Sequence, residues 1–177
     1  MTHSGDWPQP DTPFEDVKNF LISSRDDGVK CPCCGRFAKV YRRSVTSSMA
    51  YALYLIYVHC ANTEQTWIHV PSFLSKAVSE NAGATCRGGD WAKLAYWDLL
   101  QESHIVREDG GKHAGWWRIT ALGEAFVEGK VKIPKHAVVY NQTLLGLDTS
   151  ELVSFEESLK SRFDFDEMMA NTPRRSR

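Results

Sequence analysis

Three of the five cysteines of this 177-residue chain lie in one short segment, Cys31-Pro32-Cys33-Cys34-Gly35. Cys31 and Cys34 have the spacing of a zinc knuckle, in which two thiolates on a turn bind one metal ion and backbone N–H groups support the sulfur atoms. A tetrahedral zinc site needs two further ligands, and the sequence has no second Cys-x-x-Cys pair. The spacing therefore predicts a zinc site whose other two ligands come from elsewhere.

His59 and Cys60 are the best candidates for those other two ligands. A strand of about eight residues leads away from the turn and covers about 26 Å. A helix of about sixteen residues then returns over about 24 Å, which would bring Cys60 beside Cys34. The remaining candidates are His69, Cys86, His113 and His136. Two alternatives stay open: a structural turn of reduced cysteines, and redox chemistry, for which no thioredoxin-like βαβ unit is apparent.

The charges balance over the whole chain but not along it. There are 21 Lys+Arg and 22 Asp+Glu, which gives a formal net charge of −1. The segment 28–63 has no acid and five bases, whereas the segment 148–167 has seven acids and two bases. A local basic surface of this kind can bind nucleic acid. The alternative is that these charges are scattered over a solvated surface.

Hydrophobic periodicity and turn signals predict the elements that position these residues. Apolar residues at helical spacing predict a helix over 14–24, and rough alternation over 36–43 predicts a strand. Three helices and a short strand follow. They are a helix at 44–60, a strand at 66–70, a helix from Pro71 to Val78 and a helix from Trp91 to Glu102 that Asp90 caps.

A β-hairpin, two helices and another strand are predicted in the second half of the chain. The hairpin strands are 104–107 and 115–120, with a glycine-rich turn between them. Thr120 is expected to cap a helix that stops at Gly129, and 130–140 alternates like an edge strand. Ser154 and Glu157 have the spacing of a capping box, which predicts a last helix.

The order helix, strand, helix, helix, hairpin over 44–129 is that of a winged helix-turn-helix. The phrase Trp117-Arg118-Ile119-Thr120-Ala121-Leu122-Gly123 resembles the end of the wing in MarR-like regulators. In those proteins the second wing strand runs into a Thr-capped helix with a glycine in its first turn. The resemblance implies a winged-helix core, a fold that serves protein contacts as well as DNA contacts.

Five phrases of the sequence occur together in another group of proteins. They are Cys31 to Gly35, Ala38-Lys39-Val40-Tyr41-Arg42-Arg43, Ala92-Lys93-Leu94-Ala95-Tyr96-Trp97, Gly115-Trp116-Trp117-Arg118-Ile119-Thr120 and Phe163-Asp164-Phe165-Asp166. In these phrases the chain resembles a set of uncharacterised bacteriophage and prophage proteins that pair a Cys-Pro-x-Cys-Gly turn and a basic strand with a winged helix. The resemblance implies a phage origin and the cytoplasm of the host cell as the location.

We therefore predict an α+β protein with a winged helix-turn-helix core, an N-terminal Cys-turn and strand, and a C-terminal strand–helix extension. A single domain is expected over 14–169, with a flexible arm at 1–13 and a basic tail at 170–177. The N-terminus has no secretory signal pattern, and no apolar stretch approaches the roughly 20 residues of a spanning helix. A cytoplasmic protein without a membrane partner is the expectation.

DNA binding, as in a regulator, is the leading functional interpretation. Seven bases are the expected contacts. Those for phosphates are Lys39, Arg42, Arg43, Lys112 and Arg118, and those that approach the major groove are Arg87 and Lys93. The alternative is a protein-interaction module that binds and inhibits or redirects a host or phage protein, such as an anti-defence factor.

The predicted third helix favours that alternative, because it contains one base, Lys93, and two acids, Asp98 and Glu102. Four tryptophans around this helix and the hairpin could stack on bases, anchor a protein partner or pack in the core. They are Trp91, Trp97, Trp116 and Trp117. No His-Glu-x-x-His, Gly-x-Ser-x-Gly or P-loop motif occurs, so an enzyme is not expected.

Overall fold

The computed structural model describes residues 8–63, 65–80, 88–105, 114–160, 163–170 and 172. The fold is mixed α+β, as predicted, with several helices and small antiparallel sheets. The chain divides into two compact units, Met1–Arg43 with Ala137–Leu147 and Ser44–His136 with Asp148–Arg177. The single domain over 14–169 remains a prediction, because a division by spatial contacts does not test whether the units unfold together.

The first unit contains the predicted helix and the Cys turn. Helix α1 is Phe14–Ser24, as predicted. Strands β1 (Val29–Lys30) and β2 (Phe37–Ala38) pair antiparallel on either side of the Cys turn. The single strand predicted over 36–43 is instead β2 and β3 (Tyr41–Ser44). The break falls at Val40, whose N–H donates to the carbonyl of Arg25 at 2.9 Å rather than to a strand.

The second unit begins with the helices expected from the sequence. Helix α2 is Ser47–Thr63, three residues later than predicted, because the Thr46 hydroxyl accepts the N–H of Met49 at 3.3 Å. Its apolar stripe is buried, including Leu53, Ile56 and Cys60. Strand β4 is Ile68–His69, and helix α3 is Val70–Glu80 with Pro71 in its first turn.

The prediction of a third α-helix over 91–102 is wrong. Asp90–Trp97 is a 3₁₀ helix, preceded by Gly89 without a side-chain cap, and Leu100–Glu102 is strand β5. Asp98 ends the helix with a positive φ of 56°, and its N–H donates to the carbonyls of Ala95 and Leu94. Trp91, Leu94 and Trp97 are buried, and they recur every three residues, which is the 3₁₀ repeat.

A three-stranded sheet follows, in the order β4, β6, β5, where β6 is Trp116–Ile119. Both neighbours of β6 are antiparallel to it, with Ile68 opposite Trp117 and Leu100 opposite Ile119. The predicted hairpin therefore forms with 100–102 as its first strand, and the prediction of a strand beginning at 104 is wrong. The predicted turn lies outside the described residues.

Helix α4 (Ala121–Val127) begins as predicted, because the Thr120 hydroxyl accepts the N–H of Gly123 at 2.9 Å. Strand β7 (Ile133–Tyr140) corresponds to the strand predicted over 130–140. Strand β8 (Thr143–Val153) was not predicted. It follows a two-residue turn of Asn141 and Gln142, which both have positive φ, as a hairpin turn of type I′ requires. The strand order of this sheet is β3, β7, β8.

The chain ends in two short helices, α5 (Phe155–Leu159) and α6 (Phe165–Ala170). The predicted capping box is present, since Ser154 and Glu157 exchange backbone and side-chain hydrogen bonds. Phe155 is fully buried and packs edge-on against Phe126 at 5.6 Å between ring centroids. Helix α6 was not predicted from the sequence.

The capping box makes part of the stability depend on pH. The backbone N–H of Ser154, its hydroxyl and the ammonium of Lys132 hold the pKa of Glu157 below its usual 4.5. The stability that Glu157 contributes to the folded protein is therefore fully present above the unfolded-state pKa of this carboxyl group. It is lost as the pH falls through the folded-state pKa. In Glu157→Gln, we expect the melting temperature to fall less between pH 7 and pH 3 than in the parent protein. Glu156→Gln, one position away, should keep the parental pH dependence; equal slopes in both variants would contradict the assignment.

Candidate nucleic-acid interface

The described part of the first unit carries a positively charged surface on consecutive elements, here called the basic ribbon (residues 29–43). It comprises β1, the Cys turn, β2 and most of β3. Its sequence has five cations and no acid. Four of the cations are exposed and Lys39 is half-buried; the exposed ones are Lys30, Arg36, Arg42 and Arg43. This concentration of positive charge can attract phosphate groups.

Two aromatic side chains stand among these cations. Phe37 is 54% exposed and Tyr41 is 45% exposed. The guanidinium of Arg43 lies over the Tyr41 ring, 5.6 Å from its centroid, which orients both groups on the same surface. Exposed aromatic rings among cations can stack on nucleic-acid bases while the cations contact phosphates. Sequence reasoning missed both rings as site residues, although their interleaving with the bases was visible.

The Cys turn fixes the geometry of the ribbon. The N–H of Gly35 donates to the carbonyl of Cys31 at 2.8 Å, and the N–H of Cys31 donates to the carbonyl of Arg36 at 2.7 Å. Gly28, just before the ribbon, has a φ of +89°, and a Cβ added there would lie 2.6 Å from the Phe37 ring. The positive φ favours glycine at this position, and any larger residue would also displace the Phe37 ring.

The three cysteines of the turn differ in their chemistry. The backbone N–H groups of Cys34 and Cys33 donate to the Cys31 sulfur and hold the pKa of Cys31 below its usual 9.0. Local desolvation, with the charges of Cys31 and Cys34, raises the pKa of Cys33. The Cys31 thiol therefore has a lower pKa than the Cys33 thiol, and forms the metal-binding thiolate more readily.

The other predicted zinc ligands lie in the second unit, on α2. The His59 ring packs against Phe73 at 4.6 Å, and its Nε2 is 3.3 Å from the Gln65 side-chain oxygen. Cys60 is buried in the helix stripe. Among the described residues, no three or more His, Cys, Asp or Glu side chains form a group that could hold a metal ion. Cys86 and His113 lie outside the described residues, and zinc binding remains a prediction.

The predicted DNA contacts separate into two sets. Lys39, Arg42 and Arg43 lie together on the basic ribbon. Lys93 forms an ion pair with Asp90, and Arg118 is held by Gln101, whose oxygen accepts its Nε–H at 2.8 Å, and by the Trp67 ring at 5.1 Å. These last two cations belong to the second unit and are engaged within it. Arg87 and Lys112 lie outside the described residues.

The tryptophans near the hairpin are mainly core residues. Trp91, Trp97 and Trp117 are buried, and Trp91 packs edge-on against Trp117 at 5.2 Å. Trp116 is half-buried, so the two neighbours on β6 face opposite sides, as predicted. The indole N–H of Trp97 donates to the carbonyl of Pro134 at 2.6 Å. Three of the four rings therefore pack in the core, which is one of the three roles predicted for them.

No family model, curated protein or solved structure matches this chain. Among the described residues, no helix has the length and apolar character needed to cross a membrane. The features of this chain that bear on its function are therefore the basic ribbon and the strand order of the second unit.

Proposed function

We propose that this chain binds DNA through the basic ribbon. The observation that carries the proposal is the combination of five cations and two exposed aromatic rings on residues 29–43, with no carboxylate among them. Exposed cations that lie close together along the chain can contact neighbouring phosphates, which supplies affinity without base specificity. Phe37 and Tyr41 add faces on which bases can stack.

The proposal includes a winged helix-turn-helix over 44–129 as the second DNA-contacting module. In that fold, the short strand between the first two helices pairs with the second wing strand. The strand order β4, β6, β5 supports this assignment, because β4 follows α2 and pairs with β6 rather than with β5. The recognition position is then the 3₁₀ helix, which offers Lys93 already paired with Asp90. The ribbon is therefore expected to supply most of the affinity.

The double variant Arg42→Ala with Arg43→Ala tests this proposal. We expect the affinity for duplex DNA at about 0.1 M salt to fall at least tenfold, about equally for unrelated sequences. The slope of log affinity against log salt concentration should lessen by about two, one for each lost phosphate contact. Fluorescence anisotropy over a salt series measures both quantities.

The matched control removes the same charge from the second unit. Lys130 and Lys132 are exposed and form ion pairs with Glu128 and Glu157. Lys130→Ala with Lys132→Ala should keep the parental salt slope. Equal losses in the two double variants would indicate a nonspecific charge effect and would overturn the assignment of the ribbon.

A protein-interaction module is the second candidate, and strand β8 favours it. This strand is at the edge of its sheet and exposes three leucines of the first unit, Leu144, Leu145 and Leu147. An open apolar edge is a template for pairing with an extended segment of another protein. Protein binding by this edge would be nearly insensitive to salt and would be lost in Leu145→Lys. DNA binding would weaken with salt and would be retained in Leu145→Lys.

A further inference from the structure

The Cys turn has the internal geometry of a metal-binding knuckle but only part of a ligand set. Two backbone hydrogen bonds close the turn, and the antiparallel strands β1 and β2 pair on either side of it. Cys33 and Cys34 are exposed to solvent. Thiolates on a knuckle of this kind are preferred zinc ligands.

The described residues of the first unit supply no further ligand of the type that zinc prefers. Residues 8–43 and 137–147 contain no histidine and no cysteine besides those of the turn. Structural zinc sites are almost always four-coordinate. A turn that offers Cys31 and Cys34 alone is therefore half of such a site, and a second knuckle would complete it.

We propose that the turn binds zinc between two copies of this chain, with Cys31 and Cys34 of each copy as the four ligands. Such a site lies on a two-fold axis, where each copy contributes the same surface. Four cysteine thiols release four protons to solvent as they bind one Zn²⁺, and no redox change is involved. The inference does not depend on DNA binding, although it would double the number of basic ribbons in the assembly.

The charges beside the turn favour this arrangement. One Zn²⁺ with four thiolates carries a net charge of −2. Lys30 and Arg36 flank the cysteines, are exposed, and supply two positive charges in each copy. The cluster thus offsets part of the repulsion between two basic ribbons, and the flanking cations in turn stabilise its negative charge.

Zinc titration of the full chain under reducing conditions, without a metal-affinity tag, tests the proposal. Static light scattering should show a monomer in chelator and a dimer at one zinc per two chains, and excess chelator should restore the monomer. Co²⁺ in place of zinc should give the absorption spectrum of a four-thiolate tetrahedral site. One zinc in a monomeric chain would place all ligands in one copy and would overturn the proposal, as would the absence of zinc binding.

Single-site variants separate this site from its alternatives. Cys31→Ser and Cys34→Ser should stay monomeric with zinc present, and circular dichroism establishes that each is folded. Cys33→Ser, the matched control, and His59→Ala should dimerise like the parent protein. Loss of zinc in His59→Ala would instead support the ligand set predicted within one chain. The Arg42→Ala, Arg43→Ala variant should still dimerise, which separates failure of this inference from failure of DNA binding.

Discussion

Replacement of Trp97 by alanine is expected to lower the free energy of unfolding by about 3–5 kcal/mol, as for other large buried side chains. Trp97 is 2% exposed and is among the largest fully buried side chains of the described chain. The change leaves a cavity where the indole was. It also removes the donor that meets the Pro134 carbonyl at 2.6 Å, so that the end of the 3₁₀ helix is no longer tied to β7.

Trp97→Phe is the matched variant for this prediction. It keeps an aromatic ring in the site and removes the indole N–H, so a loss of about 1–3 kcal/mol is expected. Urea unfolding followed by circular dichroism measures both values. If Trp97→Ala lost no more than Trp97→Phe, cavity formation would not be the main cost and the assignment of Trp97 to the core would fail.

The same segment shows how far sequence periodicity determines local structure. Trp91, Leu94 and Trp97 are spaced by three, and over so short a run an apolar stripe of this kind is compatible with an α-helix as well as with a 3₁₀ helix. The left-handed Asp98 separates the 3₁₀ helix from strand β5, and nothing in its residue type required that conformation. Burial of these positions was therefore predictable, but the identity of their elements was not.

Strand β8 was missed for a related reason. Thr143–Val153 is almost wholly exposed, and its hydrophobic residues do not alternate with polar ones. A strand at the edge of a sheet with little buried surface leaves no period-two signal. The cap at Thr120 and the capping box at Ser154, by contrast, depend on side chains within three residues, so the sequence alone was sufficient to find them.

The candidate interface was predictable in part. Lys39, Arg42 and Arg43 are close in sequence and remain together in the fold. Arg118 also looked available in the sequence, but its partners Trp67 and Gln101 come from other elements. Long-range engagement of this kind is decided by strand pairing, which residue types do not specify. The same limit applies to His59, whose partner Phe73 belongs to the next helix.

Gly123→Ala is expected to destabilise the protein by about 1–3 kcal/mol, the cost of overpacking a filled site. A Cβ on residue 123 would lie 2.3 Å from the Leu99 carbonyl oxygen and 2.9 Å from the Ile119 side chain. The carbonyl cannot easily move, because it accepts the N–H of Thr120 at 3.2 Å. The glycine in the first turn of α4 thus allows the helix to approach the residue before β5.

The sign of the stability change in Gly123→Ala distinguishes close packing at this site from the effect of helix propensity. Helix propensity alone predicts that alanine in place of a helical glycine stabilises by roughly 1 kcal/mol. Gly146, in β8, has nothing within 4 Å of an added Cβ and has no positive φ, so Gly146→Ala should change stability little. Thermal and urea unfolding of both variants measure the difference. A Gly123→Ala protein as stable as the parent would mean that α4 does not pack this closely on Leu99, and the hairpin end of the proposed winged helix would need a different arrangement.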